Sequence, residues 1–486
     1  MKIAFCTLGC KLNFAESSAI GKALLGLGHV RAKQGEEADV VVLNTCSVTD
    51  AADHKGRQAI HRLRRQHPQA VLIVTGCYAA LKGQEIGAMP EVDYVVGANE
   101  KEKVVEIIEN LKICKFENLK MAEQRNLQIY KFTNLQIDSF FPACSWDDRT
   151  RCFLKVQDGC NYFCTYCTIP LARGRSRNAS IADIVAQAEQ ALREGAKEIV
   201  LTGVNIGDFG RSTGERFIDL LKALDCLDKG LRIKDERLNS TDCKVPRPLT
   251  PSPQAGRGSL ETGVISPSSC VIHPSSQESP SSCVLHPSSK PYRLRISSCE
   301  PNLLTDEVID FVANSKHFAP HFHIPLQSGS NEVLKIMHRH YDRELFAERV
   351  AHIRERMPNA FIGVDCMVGV RGETEERWED YLAFVKQLDV SQLHVFTYSE
   401  RANTRMLEMD LYVVPKKERE RRSKILHAVS AEKLQAFYTK HQGEEATVLW
   451  EGKKEDGMMA GFTENYIKVH APYDKAKVNT FERVRI

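Results

Sequence analysis

The sequence predicts an α/β protein built around parallel sheets, with a small all-β domain at its C-terminal end. Short β-branched runs alternate with helical stretches over residues 1–111 and again from about residue 150. The final 43 residues instead carry short strand-like runs separated by turns that contain glycine. With 486 residues in all, the chain is long enough for several domains that each bury a core.

The first domain, residues 1–111, contains four runs typical of buried parallel strands. They are short, rich in β-branched residues and ended by Gly, Cys or Asn: KIAFCTL, ADVVVLNTC, AVLIVTGC and VDYVVG. The stretches ESSAIGKALLGLG and HKGRQAIHRLRRQH between them have helical spacing. A layered α/β domain with a parallel sheet is predicted. Residues 112–145 repeat KFENLK loosely as KFTNLQ and are interpreted as a linker.

The second domain, residues 146–410, resumes the alternation with six strand–helix units. Its predicted strands are KVQDGC, AKEIVLTGVN, YRLRISSCEP, FHIPLQSG, AFIGVDCMVG and QLHVFTYS. Helices such as DIVAQAEQALREG and TDEVIDFVANS lie between them. Six such units favour a full or partial parallel barrel with its chemistry at the C-terminal ends of the strands.

Residues 228–290 interrupt this barrel with a stretch rich in serine and proline. It contains a tandem repeat, PSSCVIHPSSQES followed by PSSCVLHPSSKP, whose composition does not support a packed core. We interpret the segment as a disordered insertion. A zinc site within the repeat is the alternative, with these residues as ligands: Cys270, His273, Cys283 and His286.

The C-terminal part is predicted to contain a helix followed by a small barrel. Residues 411–443 include KKERERRSKILHAVSAEKLQAFYTKHQ, whose charge pattern indicates a solvent-exposed helix. Residues 444–486 include EATVLWEG, GMMAGFTENYIKVHAP and KVNTFERVRI, which are typical of a small all-β barrel.

Charge and hydropathy point to a cytosolic protein. The formal net charge is +3, which neither requires nor excludes a nucleic-acid partner. The start, MKIAFCTLGCKLNFAESS, lacks the apolar run of a signal peptide, and no stretch reaches the roughly 18 apolar residues of a membrane span. Because the cytosol keeps thiols reduced, we expect the 16 cysteines to be cluster or metal ligands and buried thiols, without disulfides.

The strongest chemical signal is the cysteine triad Cys160, Cys164 and Cys167. Its spacing places three thiols on one loop just after a predicted strand, and three thiolates on an iron–sulfur cubane leave one iron open. Zinc is the alternative, but a structural zinc site needs four ligands, and Cys152 is the only other cysteine nearby.

A second triad is distributed over the first domain. Cys10 lies in TLGCKLN, Cys46 in LNTCSVT and Cys77 in VTGCYA, each at the end of a predicted strand. Parallel strands end at one edge of a sheet, so these distant cysteines can meet there. The alternative is three small buried residues.

The C-x3-C-x2-C motif after the first barrel strand, with Tyr166 before its last cysteine, resembles the radical S-adenosylmethionine superfamily. With the first-domain triad and the terminal barrel, the chain resembles the methylthiotransferases: an N-terminal cluster domain, a radical S-adenosylmethionine barrel and a TRAM β-barrel. The resemblance implies two [4Fe–4S] clusters, of which the first, on the first-domain triad, carries the sulfur. It implies that the second cluster binds S-adenosylmethionine.

The resemblance also implies a reaction and a set of cofactor contacts. One S-adenosylmethionine methylates a sulfur of the first cluster, and a second is split to a 5′-deoxyadenosyl radical that removes hydrogen from C2 of an adenine beside the tRNA anticodon. The implied S-adenosylmethionine contacts are Tyr166, Gly203, Asn205, Ser297, Glu300 and Gln327, with Gly363 and Asp365 as further candidates.

Within this family, the strings TLGCKLN, FLKVQDGCNYFCTYCTIPLARGRSR, LTGVNIGDFG and HIPLQSGSNEVLKIMHRHY resemble the threonylcarbamoyladenosine branch. The implied partners are a tRNA with that nucleoside beside its anticodon and an electron donor such as flavodoxin or ferredoxin. Arg173, Arg175 and Arg177 follow the triad closely and suit phosphates or a substrate carboxylate; pairing with local acids is the alternative. Candidate RNA contacts in the terminal barrel are Trp450, Lys453, Lys454, Tyr466 and Lys468.

The sequence departs from the family at the loop GVDCMVGVRGETEE, where Val370 and Arg371 replace the usual Phe and Pro, and at Cys299 in place of an aliphatic residue. Three alternatives stay open. The enzyme could act on isopentenyladenosine in tRNA or on an aspartate of a ribosomal protein, or the chain could be a non-catalytic RNA-binding protein that contains clusters.

Overall fold

Five parallel strands form the N-terminal sheet of the computed structural model, which describes residues 1–33, 35–116, 140–145, 150–227 and 291–486. In chain order the strands are β1 Lys2–Thr7, β2 Val30–Arg31, β3 Val40–Thr45, β4 Val71–Gly76 and β5 Tyr94–Gly97. They lie in the spatial order β2-β1-β3-β4-β5, and every pair is parallel. The predicted parallel sheet is therefore present, with the two-residue β2 as an additional edge strand.

Four helices cover the two faces of this sheet: α1 Lys11–Gly26, α2 Asp50–Gln66, α3 Cys77–Gly87 and α4 Glu102–Phe116. Alternate side chains of β3 point to opposite faces, as a strand requires. Val41 and Leu43 pack with α2 and α3, while Val40 and Val42 pack with α1 and α4. Helix α4 continues five residues past the predicted domain end at residue 111.

Six parallel strands form the second layer of the molecule. They are β7 Arg151–Lys155, β8 Glu198–Thr202, β9 Arg293–Ile296, β10 His321–Gln327, β11 Phe361–Val368 and β12 Gln392–Thr397. Strands β7–β9 and β10–β12 form two parallel groups, with a register shift in β10 between Pro325 and Gln327. Bridges at Ser298–His323 and Leu294–Phe318 join the two groups. An open partial barrel results, with β6 Cys144–Ser145 as an antiparallel edge strand.

Helices lie between the barrel strands in the sequence: α5 Ile169–Arg173, α6 Ile181–Arg193, α7 Phe217–Asp225, α8 Asp306–Asn314, α9 Asn331–Ile336, α10 Arg343–Arg356 and α11 Glu375–Gln387.

The sequence analysis placed one barrel strand too late in the chain. Of KVQDGC, only Lys155 lies in β7, because Gln157 turns the chain by donating to the carbonyls of Asp158 (3.0 Å) and Gly159 (2.7 Å). The cysteine loop therefore begins directly after this turn.

The first domain packs onto the barrel through α1. Ala15 of α1 lies in one apolar cluster with Ala143, Phe153 and Val200, which come from the region of β6, β7 and β8. Helix α1 therefore belongs to both layers, and its polar residues reach the barrel side of the site.

The long helix α12 Lys416–Lys440 is not fully solvated, contrary to the sequence prediction. Leu426 and Val429 belong to the barrel core, and Phe437 packs on Phe361. Arg422 is 1% exposed and contacts Glu373 Oε1 at 2.7 Å. The charge pattern led to the wrong prediction because several of the charged residues of this helix form ion pairs inside the protein, and a charge run does not reveal the buried side.

Four antiparallel strands complete the fold: β13 Glu445–Glu455, β14 Met458–Phe462, β15 Lys468–Pro472 and β16 Phe481–Arg485. Their spatial order is β15-β14-β13-β16. This small curled sheet confirms the predicted all-β C-terminal part, as the two parallel layers confirm the α/β class. Within the described part of the chain, no helix has the length and apolar character needed to span a membrane.

One cysteine pair contradicts the expectation of a chain without disulfides. Cys144 of β6 and Cys152 of β7 are disulfide-bonded, with their Cα atoms 6.5 Å apart. The antiparallel register places Cys144 opposite Leu154, and Cys152 lies two residues before Leu154 on the same face of β7, so the two cysteines are diagonal neighbours. The predicted insertion 228–290, with its alternative zinc site at Cys270, His273, Cys283 and His286, lies outside the described residues, as does most of the predicted linker.

Candidate active site

Three free thiols lie at the C-terminal ends of three adjacent parallel strands. Cys10 follows β1 and precedes α1, Cys46 follows β3 directly, and Cys77 follows β4 as the first residue of α3. Because β1, β3 and β4 are neighbours in the sheet, their ends bring the three cysteines to one edge.

Two glycines allow this close approach. A Cβ atom on Gly9 would lie 2.6 Å from the Cβ of Cys46 and 3.2 Å from its Sγ. A Cβ on Gly76 would lie 2.3 Å from the carbonyl oxygen of Thr45. Both glycines also have φ near +100°, which other residues rarely adopt. The glycine before Cys10 and before Cys77 is thus a steric requirement of the site.

The thiols of this first triad affect each other electrostatically. Burial, together with the neighbouring thiols of Cys77 and Cys10, raises the pKa of Cys46 to about 11. Burial also raises the pKa of Cys77, while Arg173 and Lys101 lower it. Such thiols ionise when a cation binds them, as the irons of a cubane do.

Within the described residues, no three His, Cys, Asp or Glu side chains converge as ligands of a single metal ion would. A cubane differs in this respect, because it presents three separate irons to three thiolates. The disulfide to Cys144 also removes Cys152 as a fourth ligand for the second triad.

The second triad lies on the loop between β7 and α5. The Cys160 N–H donates to the Gly174 carbonyl (3.1 Å), and the Cys167 N–H donates to the Cys164 carbonyl (3.0 Å). Thr165 fastens the loop to the barrel, since its N–H donates to the Met337 carbonyl at 3.1 Å. Burial raises the pKa of Cys160 and of Cys167 to about 12. All three cysteines are free and fit a thiolate-held cluster.

Sequence reasoning missed Arg339, a buried contact of this second triad. Its Nη1 donates to Cys164 Sγ at 3.1 Å and to the Tyr166 hydroxyl at 3.4 Å. Its Nη2 pairs with Glu300. Arg339 thereby links two of the predicted cofactor residues to the cysteine loop. It lies in KIMHRHY, a string that carries the family resemblance but whose arginine has no local signature of a ligand contact.

The other predicted cofactor residues lie where the barrel strands end. Gly203 and Asn205 follow β8, Ser297 follows β9, and Gln327 ends β10. The side-chain amide of Asn205 is buried near Tyr162, and neither its oxygen nor its nitrogen forms a hydrogen bond of standard geometry in the described structure. The Oε1 atom of Gln327 is also buried and has no hydrogen-bond partner in the described structure. Orphaned polar atoms at the barrel mouth fit a polar cofactor such as S-adenosylmethionine.

The weaker candidates, Gly363 and Asp365, lie on β11 inside the barrel. Asp365 Oδ1 is 2.7 Å from His323 Nε2, and His323 Nδ1 is 2.9 Å from the Ser298 hydroxyl. A Cβ on Gly363 would lie 3.1 Å from His394 Nε2. Asp365 is therefore engaged in a polar chain across three strands, which the sequence analysis did not identify.

The arginines after the cysteine loop divide into two buried residues and one exposed residue. Arg173 is 1% exposed and pairs with Glu16 and Asp158; Arg177 is 5% exposed and contacts Asp158 Oδ2 at 3.1 Å. The expectation that these two contact the substrate is therefore wrong, because acids of α1 and of the loop already hold them. Arg175 is exposed, with its guanidinium 5.7 Å from the ring centre of exposed Phe163.

Two proposed RNA contacts of the C-terminal sheet lie inside the protein. Trp450 is 2% exposed, and its Nε1 donates to Glu482 at 2.6 Å. The hydroxyl of Tyr466 accepts from Arg151 at 3.1 Å, and its ring stacks on Phe462. Both are corrected to structural residues, because the sheet uses its aromatic side chains for its own core and for the barrel contact. The three predicted lysines are exposed: Lys453, Lys454 and Lys468.

The loop that departs from the family pattern is well packed. Val370 lies in one apolar cluster with Val333 and Met406, and Tyr166 packs against that cluster. Arg371 Nη2 donates to Glu400 Oε1 at 3.1 Å. Cys299 is 2% exposed, as expected for a packing residue. The substitutions therefore leave a closed loop beside the second triad.

Comparison with protein families gives two matches. Residues 2–97 match the uncharacterized protein family UPF0004, and residues 154–237 and 280–385 match the Radical SAM superfamily. The first match covers the sheet with Cys10, Cys46 and Cys77, and the second covers the cysteine loop and the barrel strands β8–β11.

Curated relatives match nearly the whole chain. A threonylcarbamoyladenosine tRNA methylthiotransferase, MtaB of Bacillus subtilis, is 34% identical over 96% of this chain and 89% of its own length. MtaB of Aquifex aeolicus is 31% identical over 96% of each chain. A tRNA-2-methylthio-N(6)-dimethylallyladenosine synthase of Clostridium botulinum is 28% identical over 99% of this chain and 93% of its own length.

Proposed function

Because the chain belongs to the threonylcarbamoyladenosine branch of the radical S-adenosylmethionine methylthiotransferase family, we propose that it places a methylthio group on C2 of threonylcarbamoyladenosine in tRNA. The protein is a radical S-adenosylmethionine methylthiotransferase that uses [4Fe–4S] clusters and S-adenosylmethionine. The position on the base, the use of two S-adenosylmethionine molecules and a flavodoxin or ferredoxin as electron donor are parts of the proposal.

The observation that carries the proposal is the pair of free cysteine triads within one packed unit. One triad lies on the first-domain sheet edge and the other on the barrel loop, and Arg173 contacts Cys77 of the first while it lies on the helix after the second. Methylthio transfer needs a sulfur source and a radical source near each other, and two cluster sites meet that need.

When bound, the clusters and S-adenosylmethionine supply the radical and the methylthio group. The chain's own residues bind and orient them. The buried amide of Asn205 and the Oε1 of Gln327 are available to the polar groups of S-adenosylmethionine, and Arg339 holds Cys164 and Glu300 in place. An aromatic C–H offers no acidic proton, so acid–base residues would not serve in place of a radical.

The substrate branch rests on the relatives and on the exposed arginine. Threonylcarbamoyladenosine carries a carboxylate, which a guanidinium can bind through two hydrogen bonds. Of the three arginines that follow the cysteine loop, Arg175 is the exposed one, beside the exposed ring of Phe163. This pair can accept a carboxylate or phosphate together with a stacked base.

The test is anaerobic reconstitution of the full chain and of single variants in each triad. Wild type should bind about eight irons, as two [4Fe–4S] clusters require. Cys46→Ala should lose about half of the iron and all methylthiolation but still form 5′-deoxyadenosine, because only its first triad is broken. Cys164→Ala should stop 5′-deoxyadenosine formation. Cys226→Ser, at an exposed free cysteine, is the matched control.

Nucleoside analysis of tRNA incubated with the enzyme separates the substrate branches. Conversion of threonylcarbamoyladenosine, and not of isopentenyladenosine, is the expected result. About four irons in the wild type would remove the two-cluster proposal. Conversion of isopentenyladenosine alone would reassign the substrate while leaving the reaction class intact.

A further inference from the structure

Arg173 contacts both halves of the site. It lies on α5, six residues after Cys167, and the next residue, Gly174, accepts a hydrogen bond from the Cys160 N–H at 3.1 Å. In the other direction, its Nε donates to Cys77 Sγ at 3.3 Å. One side chain thus connects the helix after the barrel loop to the first-domain cysteines.

The guanidinium is held rigidly in this position. Its Nη1 donates to Glu16 Oε1 (2.9 Å) and Asp158 Oδ1 (3.0 Å), and its Nη2 donates to Asn13 Oδ1 (2.7 Å) and Glu16 Oε2 (3.2 Å). With the bond to Cys77, these contacts are as many as the five N–H groups that an arginine offers. The direction of the Nε–H toward the sulfur is therefore fixed by four other bonds.

Buried charged side chains surround Arg173. Among the described residues, six side chains that are at most 6% exposed form ion pairs in one network: Glu16, Lys101, Lys155, Asp158, Arg173 and Arg177. Four of them are cations and two are carboxylates. Nearby cations favour a negatively charged group, so they would stabilise a thiolate-held cluster at Cys77.

We propose that Arg173 is a positioning residue that orients Cys77 toward the first cluster and raises the reduction potential of that cluster. The inference rests on the proposed function, since it needs a cluster on Cys10, Cys46 and Cys77. Reduction adds one negative charge to a cluster. A hydrogen bond to a ligand sulfur and a nearby cation both stabilise that more negative state. The buried guanidinium supplies both to Cys77.

The matched comparison uses Arg177. Both arginines are buried and bind Asp158, but Arg177 directs its Nη2 to Asn99 Oδ1 at 2.9 Å. Arg177 Nη1 also donates to the Arg173 carbonyl at 2.7 Å. Arg177→Gln therefore disturbs the same ion-pair network and the Arg173 backbone, but it leaves the guanidinium that donates to Cys77 in the protein. Arg173→Gln removes both the Nε–H donor and the positive charge. Arg173→Lys keeps a positive charge but loses the planar guanidinium whose other hydrogen bonds orient the donor to Cys77.

The experiment measures the first cluster alone. Cys160, Cys164 and Cys167 are replaced by alanine in the full chain, and the three arginine variants are made in this background. Iron content, melting temperature and the midpoint potential from an electron paramagnetic resonance titration are recorded. We expect a lower potential in Arg173→Gln, a smaller shift in Arg173→Lys and no shift in Arg177→Gln.

Each outcome decides the question. Iron loss in both Arg173 variants, with wild-type melting temperatures and normal loading of Arg177→Gln, also supports the positioning role. An unchanged potential in the Arg173 variants, or equal changes in Arg177→Gln, overturns it. The proposed function fails separately, if the parent chain with its second triad removed binds no iron.

Discussion

Gly76 occupies the tightest point beside the first cysteine triad. Its φ is +102°, and a side chain there would meet the Thr45 carbonyl and the Asn44 side chain at 2.3 Å and 2.6 Å. The strand end and the start of α3 are thereby brought close enough for Cys77 to join Cys10 and Cys46. At the scale of single residues, the site therefore depends on the missing Cβ of Gly76 as well as on the three cysteine thiols.

Gly76→Ala should therefore destabilise the protein by more than about 2 kcal/mol, since it combines an unfavourable φ with overpacking. It should also reduce iron loading at the first triad because Cys77 must shift. Urea denaturation and iron analysis measure both effects. Gly26→Ala is the control, because no atom lies within 4 Å of its added Cβ and its φ is not positive. A stability loss equal to that control would contradict the steric argument.

Glu198, at the start of β8, joins three elements. Its carboxylate accepts from Arg293 Nε at 2.5 Å and from Arg295 Nε at 3.2 Å, both on β9. Those arginines also donate to backbone carbonyls near β14, at Phe462 (3.1 Å) and Glu464 (3.0 Å). One buried carboxylate thus orients the two side chains that attach the C-terminal sheet to the barrel.

The pKa of Glu198 gives the pH dependence of this attachment. Burial by itself would raise the pKa, but Arg295 and Arg293 outweigh it and lower the pKa to about 2. A carboxyl with a depressed pKa in the folded state contributes stability above its unfolded pKa near 4.5. That contribution is lost as the pH falls from about 4.5 toward 2.

Glu198→Gln should cost about 3 kcal/mol of unfolding free energy at pH 7, because it leaves two buried guanidinium groups without their anion. The loss should shrink on acidification below about pH 4.5, where wild type loses the same interaction. Chemical denaturation at pH 7 and at about pH 3 tests this, because most of the contribution is lost only as the pH approaches 2. Glu106→Gln on exposed helix surface should change neither value. An equal loss at both pH values would show that packing, and not charge, holds the junction.

At the scale of the whole molecule, the segment 228–290 lies in the sequence between two barrel strands that are neighbours in space. Strands β8 and β9 lie on either side of it in the sequence and pair directly, with Glu198 opposite Arg293. The hydroxyl of Tyr292 donates to the Leu224 carbonyl at 3.2 Å. Leu224, Leu227 and Tyr292 also lie in the same apolar core. The described residues on either side of the segment therefore pack against each other directly.

Replacement of residues 228–290 by a Gly/Ser linker of about ten residues, which spans roughly 17 Å as a flexible coil, should preserve the fold. We expect the melting temperature, the iron content and the methylthiolation rate to remain close to those of wild type. A variant that also removes α7 is the control and should fail to fold, because Leu220 and Leu221 are fully buried. Loss of iron in the short-linker variant alone would show that the segment serves the site.

Features that depend on neighbouring residues were predicted well from the sequence, and features that depend on contacts between distant residues were not. Strand and helix positions follow from local periodicity, which indicates the strand ends where Cys10, Cys46 and Cys77 lie, and the C-x3-C-x2-C spacing is itself local. The contacts of Arg339 and the burial of Trp450 could not be predicted, because their partners lie far away in the sequence. KVQDGC was misjudged because the Gln157 side chain makes a turn that β-propensity does not reveal.

The sequence by itself determined the α/β class, the order of the elements and the two sets of three cysteines, since these depend on short-range spacing. Only the tertiary structure decided which arginines are exposed. Arg173 is buried because Glu16, 157 residues away on α1, reaches it, while Arg175, two positions further on, is exposed. Burial and ion pairing are properties of packed elements, and no local pattern in the chain carries them.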